Sequence, residues 1–171
     1  MNLIIGNIVA LIGSILMIIT GILKSKKNII LVQTIQIILF IISNLILGGI
    51  PGAIINAFGC IRNILYYKNL LKMRQKTIII LFGVIISLYF NNLGVIGLLP
   101  IISMIFYTSL MDIKSIKKFK LITTFSMCMW LIYDICIKSY SSAIFDIATI
   151  IANIIALSQL CKYNKQILNE R

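Results

Sequence analysis

Asn56, Asn63, Asp146 and Asn153 are polar side chains set inside long apolar runs, and they are where this sequence could do chemistry. Gly52, Asn56, Gly59 and Asn63 recur at i, i+4, i+7 and i+11, which puts them on one face of a helix. Ser142, Asp146, Thr149 and Asn153 repeat that spacing near the end of the chain. Amide and hydroxyl groups in such a stripe can exchange hydrogen bonds with a small solute, and a lipid-facing surface would not hold them without cost. The bland alternative is that they tie helices together, as Asn, Ser and Thr often do in membranes.

A second pair of runs adds to the set. Gln33, Gln36, Phe40 and Asn44 share one broad face, and Thr123, Ser126, Trp130 and Asp134 stand at the equivalent positions. An aromatic ring beside amides suits a neutral, polyhydroxylated or heteroaromatic solute, the ring covering an apolar face while the amides pair with hydroxyls or ring nitrogens. A buried carboxylate costs several kcal/mol unless it is paired, protonated or wet, so Asp146 marks a functional site and a candidate for proton coupling. Asp134 is the second such candidate, placed near the surface where water can reach it. Arg62 has two readings, a side chain that snorkels to the basic interface or a gate.

The elements that hold these residues follow from composition. Of 171 residues, 60% are hydrophobic and 12% charged, with a mean hydropathy of +1.07, more apolar than a soluble core can use. The net charge of +12 falls in short Lys and Arg clusters between apolar runs, which reports membrane topology and argues against nucleic acid as a partner. There is no His, and Cys60, Cys128, Cys136 and Cys161 lie singly without metal-ligand spacing, so neither a metal nor another cofactor is expected. The partners implied are the lipid bilayer and a small solute, with the protein a monomer or homo-oligomer.

A bilayer core roughly 30 Å thick needs about 20 residues of helix. Cutting at charges and at Gly, Pro and Asn clusters yields seven spans: Leu3 to Leu23, Ile29 to Gly48, Pro51 to Tyr67, Thr77 to Phe90, Gly94 to Met111, Leu121 to Ile137 and Ser142 to Leu160. The first has no basic lead and no small-residue cleavage site, so it is expected to stay as a helix. Long apolar runs without period-2 alternation exclude a barrel, which leaves an all-α membrane fold. Lys24, Lys26, Lys27, Lys68, Lys72, Arg74, Lys76, Lys114, Lys117, Lys118, Lys120, Lys162, Lys165 and Arg171 all fall on one side, and Lys138 stands alone on the other. The positive-inside rule then puts the N-terminus outside and the C-terminus in the cytoplasm.

Shifting the sequence by 90 residues lays the first three spans over the last three without a gap. Lys24-Ser25 falls on Lys114-Ser115, Lys27 on Lys117, Thr34 on Thr124, Ala53-Ile54 on Ala143-Ile144 and Asn63 on Asn153, while Asn44 and Asn56 fall on Asp134 and Asp146. The expected organisation is a three-helix repeat over residues 1–72, a linker helix over 73–93 and a second repeat over 94–171, the linker making the two repeats parallel. At 1.5 Å per residue, Asn56 and Asp146 sit roughly 8 Å and Asn63 and Asn153 roughly 18 Å from the outer surface. Midplane polar pairs of this kind are where transporters bind solute.

Gln33-x-x-Gln36, Gly48-Gly49-Ile50-Pro51-Gly52-Ala53, Asn56, Arg62-Asn63 and Tyr66-Tyr67-Lys68 resemble the YgjV-type bacterial inner membrane proteins over nearly the whole chain. The wider arrangement looks like the MtN3-like group, the SWEET and PQ-loop transporters, and that resemblance implies uniporters and some proton-coupled carriers. By it, Trp130 with Asn56 and Asp146 are the nearest matches to SWEET pocket residues, and Phe40 stands in place of a second Trp. The chain departs from that group in having no Pro-Gln dipeptide and only Pro100 among the prolines of its first, second, fifth and sixth helices.

The reading is therefore a facilitator or proton-coupled transporter of a sugar, nucleoside or vitamin in a bacterial inner membrane, and not an enzyme. Two alternatives stand beside it. One is a receptor or assembly protein of the same fold. The other is an intramembrane aspartyl hydrolase using Asp134 and Asp146, against which Ala143-Ile144-Phe145-Asp146 departs from the glycine-rich pattern that such enzymes carry before the second Asp.

Overall fold

The computed structural model describes residues 1–22, 26–113 and 115–169, with side chains described at 1–16, 28, 30–113, 115, 118–155, 157 and 158. Lys24, Ser25, Lys114 and Arg171 lie outside the described residues, as do the side chains of Lys26, Lys27, Lys117, Cys161, Lys162 and Lys165. Among the described residues the fold is all-helical, with seven α-helices and no strand. They are α1 (Asn2–Ile22), α2 (Lys26–Ile46), α3 (Ile50–Tyr67), α4 (Met73–Tyr89), α5 (Leu98–Leu110), α6 (Ile116–Cys136) and α7 (Tyr140–Asn169).

Each helix falls on one of the seven apolar runs, and the differences are at the ends. The α4 helix starts at Met73 instead of Thr77, and α6 at Ile116 instead of Leu121, because Lys, Arg and Gln continue a helix as readily as Leu does. The α7 helix runs past Leu160 to Asn169 for the same reason. The fifth run opens as a 3-10 turn over Gly94–Gly97 before α5 begins. Among the described residues, Lys118–Cys136 is long and apolar enough to cross a bilayer, and Asn2–Leu16, Ile30–Ile46, Gly94–Leu110 and Tyr140–Ile155 are shorter apolar helices.

Six helices close into a ring. The α2 helix packs between α1 and α3, α6 packs between α5 and α7, α3 meets α5, and α1 meets α7. The α4 helix stands outside, against α3 and α5. The polarity of this ring is reversed from that of a water-soluble bundle. Ile4, Ile35, Phe82, Ile85, Ile144 and Ile151 are exposed, while Asn63, Ser87, Thr108, Asp134 and Asp146 are buried. Such a surface asks for hydrocarbon as its solvent. Among the described residues, buried apolar side chains form two small clusters, Ile30 with Tyr107 and Met111, and Ile55 with Ile101 and Met104.

The α2–α3 and α6–α7 turns make the same hydrogen bonds. Gly49 N–H donates to Asn44 C=O at 2.8 Å and Ser139 N–H to Asp134 C=O at 2.8 Å. Ala53 N–H donates to Gly49 C=O, and Ala143 N–H to Ser139 C=O. Both turns pass through a left-handed residue, Gly48 at φ +78 and Lys138 at φ +61, as a helix C-terminus of this type requires. Each turn is also held from outside by an asparagine, Asn92 Nδ2 donating to Gly48 C=O and Asn7 Nδ2 to Lys138 C=O. At the opposite end of the bundle, Lys76 of α4 forms an ion pair with Asp112, just past α5.

Candidate functional site

The stripe expected on α3 turns inward: Gly52, Asn56, Gly59 and Asn63 are all buried. On α7, Ser142, Asp146 and Asn153 are buried and Thr149 is half-buried, its hydroxyl bonded back to Phe145 C=O at 2.8 Å. These helices occupy opposite positions in the ring. Asn63 is fully enclosed and Asn153 is 9% exposed.

Several of these groups have no partner. The Nδ2 atoms of Asn63 and Asn153, Oδ2 of Asp146 and Oε1 of Gln36 are buried without a hydrogen bond, as is the Ser14 hydroxyl on α1. A buried polar atom left unpaired costs about 1–3 kcal/mol, and four of the five found here lie on the predicted faces of α2, α3 and α7. The two asparagines offer donors, and Asp146 with Gln36 offers acceptors. Among the described residues these atoms remain available to a partner.

Arg62 does not snorkel. It is 7% exposed and its guanidinium turns into the bundle, where Nε and Nη2 donate to Asn63 Oδ1 at 3.1 and 2.9 Å and Nη1 to Thr108 Oγ1 at 3.3 Å. Its planar face lies 4.5 Å from the centre of the Tyr107 ring. The phenol of Tyr107 in turn donates to Gln33 Oε1 at 3.5 Å. A single acceptor oxygen one residue away, reached by two nitrogens of the guanidinium fork, and an aromatic face on α5 outcompete the distant interface for this side chain. Arg62, Tyr107 and Gln33 thus join α3, α5 and α2 at the end that carries Lys68 and Lys72.

Asp134 is also deeper than its place in the chain implies, at 7% exposed. Its carboxyl has the Ser142 hydroxyl and Asp146 as neighbours, and Ser142 receives a hydrogen bond from Ser139 at 3.0 Å. A place next to a turn suggests a solvated carboxyl; instead α7 turns back directly after it and brings Ser142 against it.

The aromatic pair is only partly enclosed. Phe40 lies against Gly13 of α1, where an added Cβ would approach its ring to 3.0 Å. Trp130 packs on the Ile55, Ile101 and Met104 cluster and edge-on to Tyr133 at 5.6 Å between centroids. Tyr133 also belongs to this end of the site, although its place in the sequence does not mark it. It is fully buried and accepts a hydrogen bond from Gly52 N–H at 2.9 Å, closing the Gly48 end of the bundle. The one sequence signal for it was Gly49 and Gly52 on α3's first turn, small residues that leave room for a ring. Cys60, Cys128 and Cys136 are free thiols.

No curated protein and no solved structure matches the chain. The family Imp-YgjV, described as bacterial inner membrane protein, matches residues 4–164, a stretch that includes both polar stripes, Arg62 and both turns. A match of that extent, on a ring of helices with its polar groups inside and its apolar groups outside, makes this chain a member of the Imp-YgjV family of bacterial inner membrane proteins.

Proposed function

We propose that the chain is a carrier of a small polar solute, not an enzyme, with its binding site at the centre of the helix ring. The observation that carries this reading is the set of unpartnered buried atoms on Gln36, Asn63, Asp146 and Asn153. They give a solute both donors and acceptors to replace the water it leaves behind.

The architecture we propose is that of two parallel three-helix repeats with α4 as linker, seven crossings, the N-terminus outside and the C-terminus cytoplasmic. In favour of it, the ring maps onto itself when α1, α2 and α3 are exchanged for α5, α6 and α7. The hydrogen bonds of the two turns agree at the same 90-residue shift, and so does the burial of Asn44 with Asp134, Asn56 with Asp146 and Asn63 with Asn153. Likeness to the SWEET and PQ-loop carriers belongs to this proposal, as do Trp130 and Phe40 as solute contacts, Gln33 as part of the site and Arg62 as its gate. Having both halves in one chain permits a monomer.

Flux in proteoliposomes across sugars, nucleosides and vitamins tests it. Wild type should accumulate at least one solute above empty vesicles, and Asn63→Ala and Asn153→Ala should each slow it by about tenfold, the loss of one buried hydrogen bond to a solute. If Asp146 couples protons, uptake should follow a pH gradient in wild type and not in Asp146→Asn. Solute binding without flux would mark a receptor and remove the carrier reading.

A further inference from the structure

The interior holds charges of both signs that do not meet. Arg62 is buried among neutral partners, the Asn63 amide, the Thr108 hydroxyl and the Tyr107 ring. Asp134 and Asp146 are both buried, near enough for a charge on one to act on the other. Among the described residues the ion pair is that of Lys76 with Asp112, so neither the guanidinium nor either of these carboxylates has a counter-charge. A buried ion without one is strongly destabilising. A carboxyl can also be relieved by taking up a proton, whereas the Arg62 guanidinium keeps its charge and needs an anion, and a ligand is a way to supply it.

The orphaned atoms are sorted in the same way. Arg62 occupies Asn63 Oδ1 from two nitrogens, which leaves Nδ2 of Asn63 as a free donor next to a cation. Asn153, its counterpart on α7, also presents a free donor. Asp146 presents a free acceptor, and it lies seven residues from Asn153 along α7, about 10 Å at 1.5 Å per residue. One level of the site therefore asks for an anionic, acceptor-rich group and the other for a cationic donor.

We infer that the carried solute is a zwitterion, with a carboxylate or similar anion at Arg62, Asn63 and Asn153 and a protonated amine at Asp146. This rests on the carrier reading above and narrows it away from neutral sugars and nucleosides, which would satisfy the amides and leave the Arg62 charge uncompensated.

The test is competitive uptake and thermal stabilisation of the full chain in proteoliposomes with glycine, γ-aminobutyrate, ε-aminocaproate, hexylamine, caproate, glucose and uridine. ε-Aminocaproate, whose charges stand far enough apart to reach both levels, should be favoured over glycine and over either singly charged analogue by about tenfold or more. Asp146→Asn should shift the preference toward caproate and Arg62→Gln toward hexylamine. Asn already stands at position 56, which matches 146 in the repeat, so the first variant suits the fold. Should a variant fail to fold, the wild-type ranking decides alone. Glucose or uridine carried in preference to every charged solute would overturn the inference and leave the carrier standing. Equal loss of all solutes in both folded variants would also overturn it. No solute carried or stabilising the protein would overturn both readings.

Discussion

The α2–α3 and α6–α7 turns have one backbone and two sets of contents. The first is Gly48-Gly49-Ile50-Pro51-Gly52 and the second is Lys138-Ser139-Tyr140-Ser141-Ser142, yet their carbonyls and amides pair identically. On the first turn the space above Gly52 is filled by Tyr133, reaching across from α6. At the matching place on the other side, Ser43 is too short to cross and instead donates to Gly6 C=O at 2.9 Å on α1. Its absence there leaves Ser142 free to face Ser139 and Asp134. The two turns share one frame while the buried side chains beyond them differ, Asn44, Asn56 and Arg62 on the α2–α3 side and Asp134 and Asp146 on the α6–α7 side.

Substitutions can break this comparison or sharpen it. The largest effect is expected at Gly52, where an alanine Cβ would fall 2.6 to 2.8 Å from the hydroxyl and ring of Tyr133. Gly52→Ala should destabilise the protein by about 2–3 kcal/mol, as overpacking of a filled core does. In a Tyr133→Ser background, where the ring is gone, the same Gly52→Ala change should cost much less than in wild type; unfolding in detergent by circular dichroism reads both, and an equal cost in the two backgrounds would show that the clash is elsewhere.

Next come the left-handed residues. Gly48→Ala at φ +78 should cost about 1 kcal/mol, and Lys138→Gly at φ +61 should stabilise by a similar amount. Equal and same-signed effects would mean that the two turns are not equivalent.

The smallest effect is expected at the outer asparagines. Asn7 donates to Lys138 C=O and accepts from Ser141 N–H, both at 3.0 Å, whereas Asn92 makes one such bond, to Gly48 C=O, from an exposed position. Asn7→Ala should lower stability by about 1 kcal/mol and Asn92→Ala by about half of that. A larger loss at Asn92 would place the weight on the first turn.

The spans and the α3 stripe were legible because both are local. Hydropathy is summed along the chain, and Gly52, Asn56, Gly59 and Asn63 share a face by helical geometry alone. The turn at Gly48 was legible as a glycine pair before a proline. What was not legible depends on partners far along the chain. Arg62 turns inward because Thr108 and Tyr107 are there to receive it, and Tyr133 meets Gly52 from 81 positions away. Asp134 reads as near-surface by its distance from a turn, and only the packing of α7 over it buries it. The helix ends are not legible from hydropathy, because lysines carry a helix past its apolar run.

The bond from Gly52 to Tyr133 has a mechanical consequence. Gly52 lies in the first turn of α3, where an amide has no carbonyl one turn back to pair with, and the helix's own ladder starts at Ala53 with its bond to Gly49. Pulling Tyr133 away therefore leaves every rung of α3 in place and forfeits about 1 kcal/mol, plus the packing of one ring. It is a catch that releases without unwinding its post, at the end of the bundle where Pro51 already holds the start of the helix rigid.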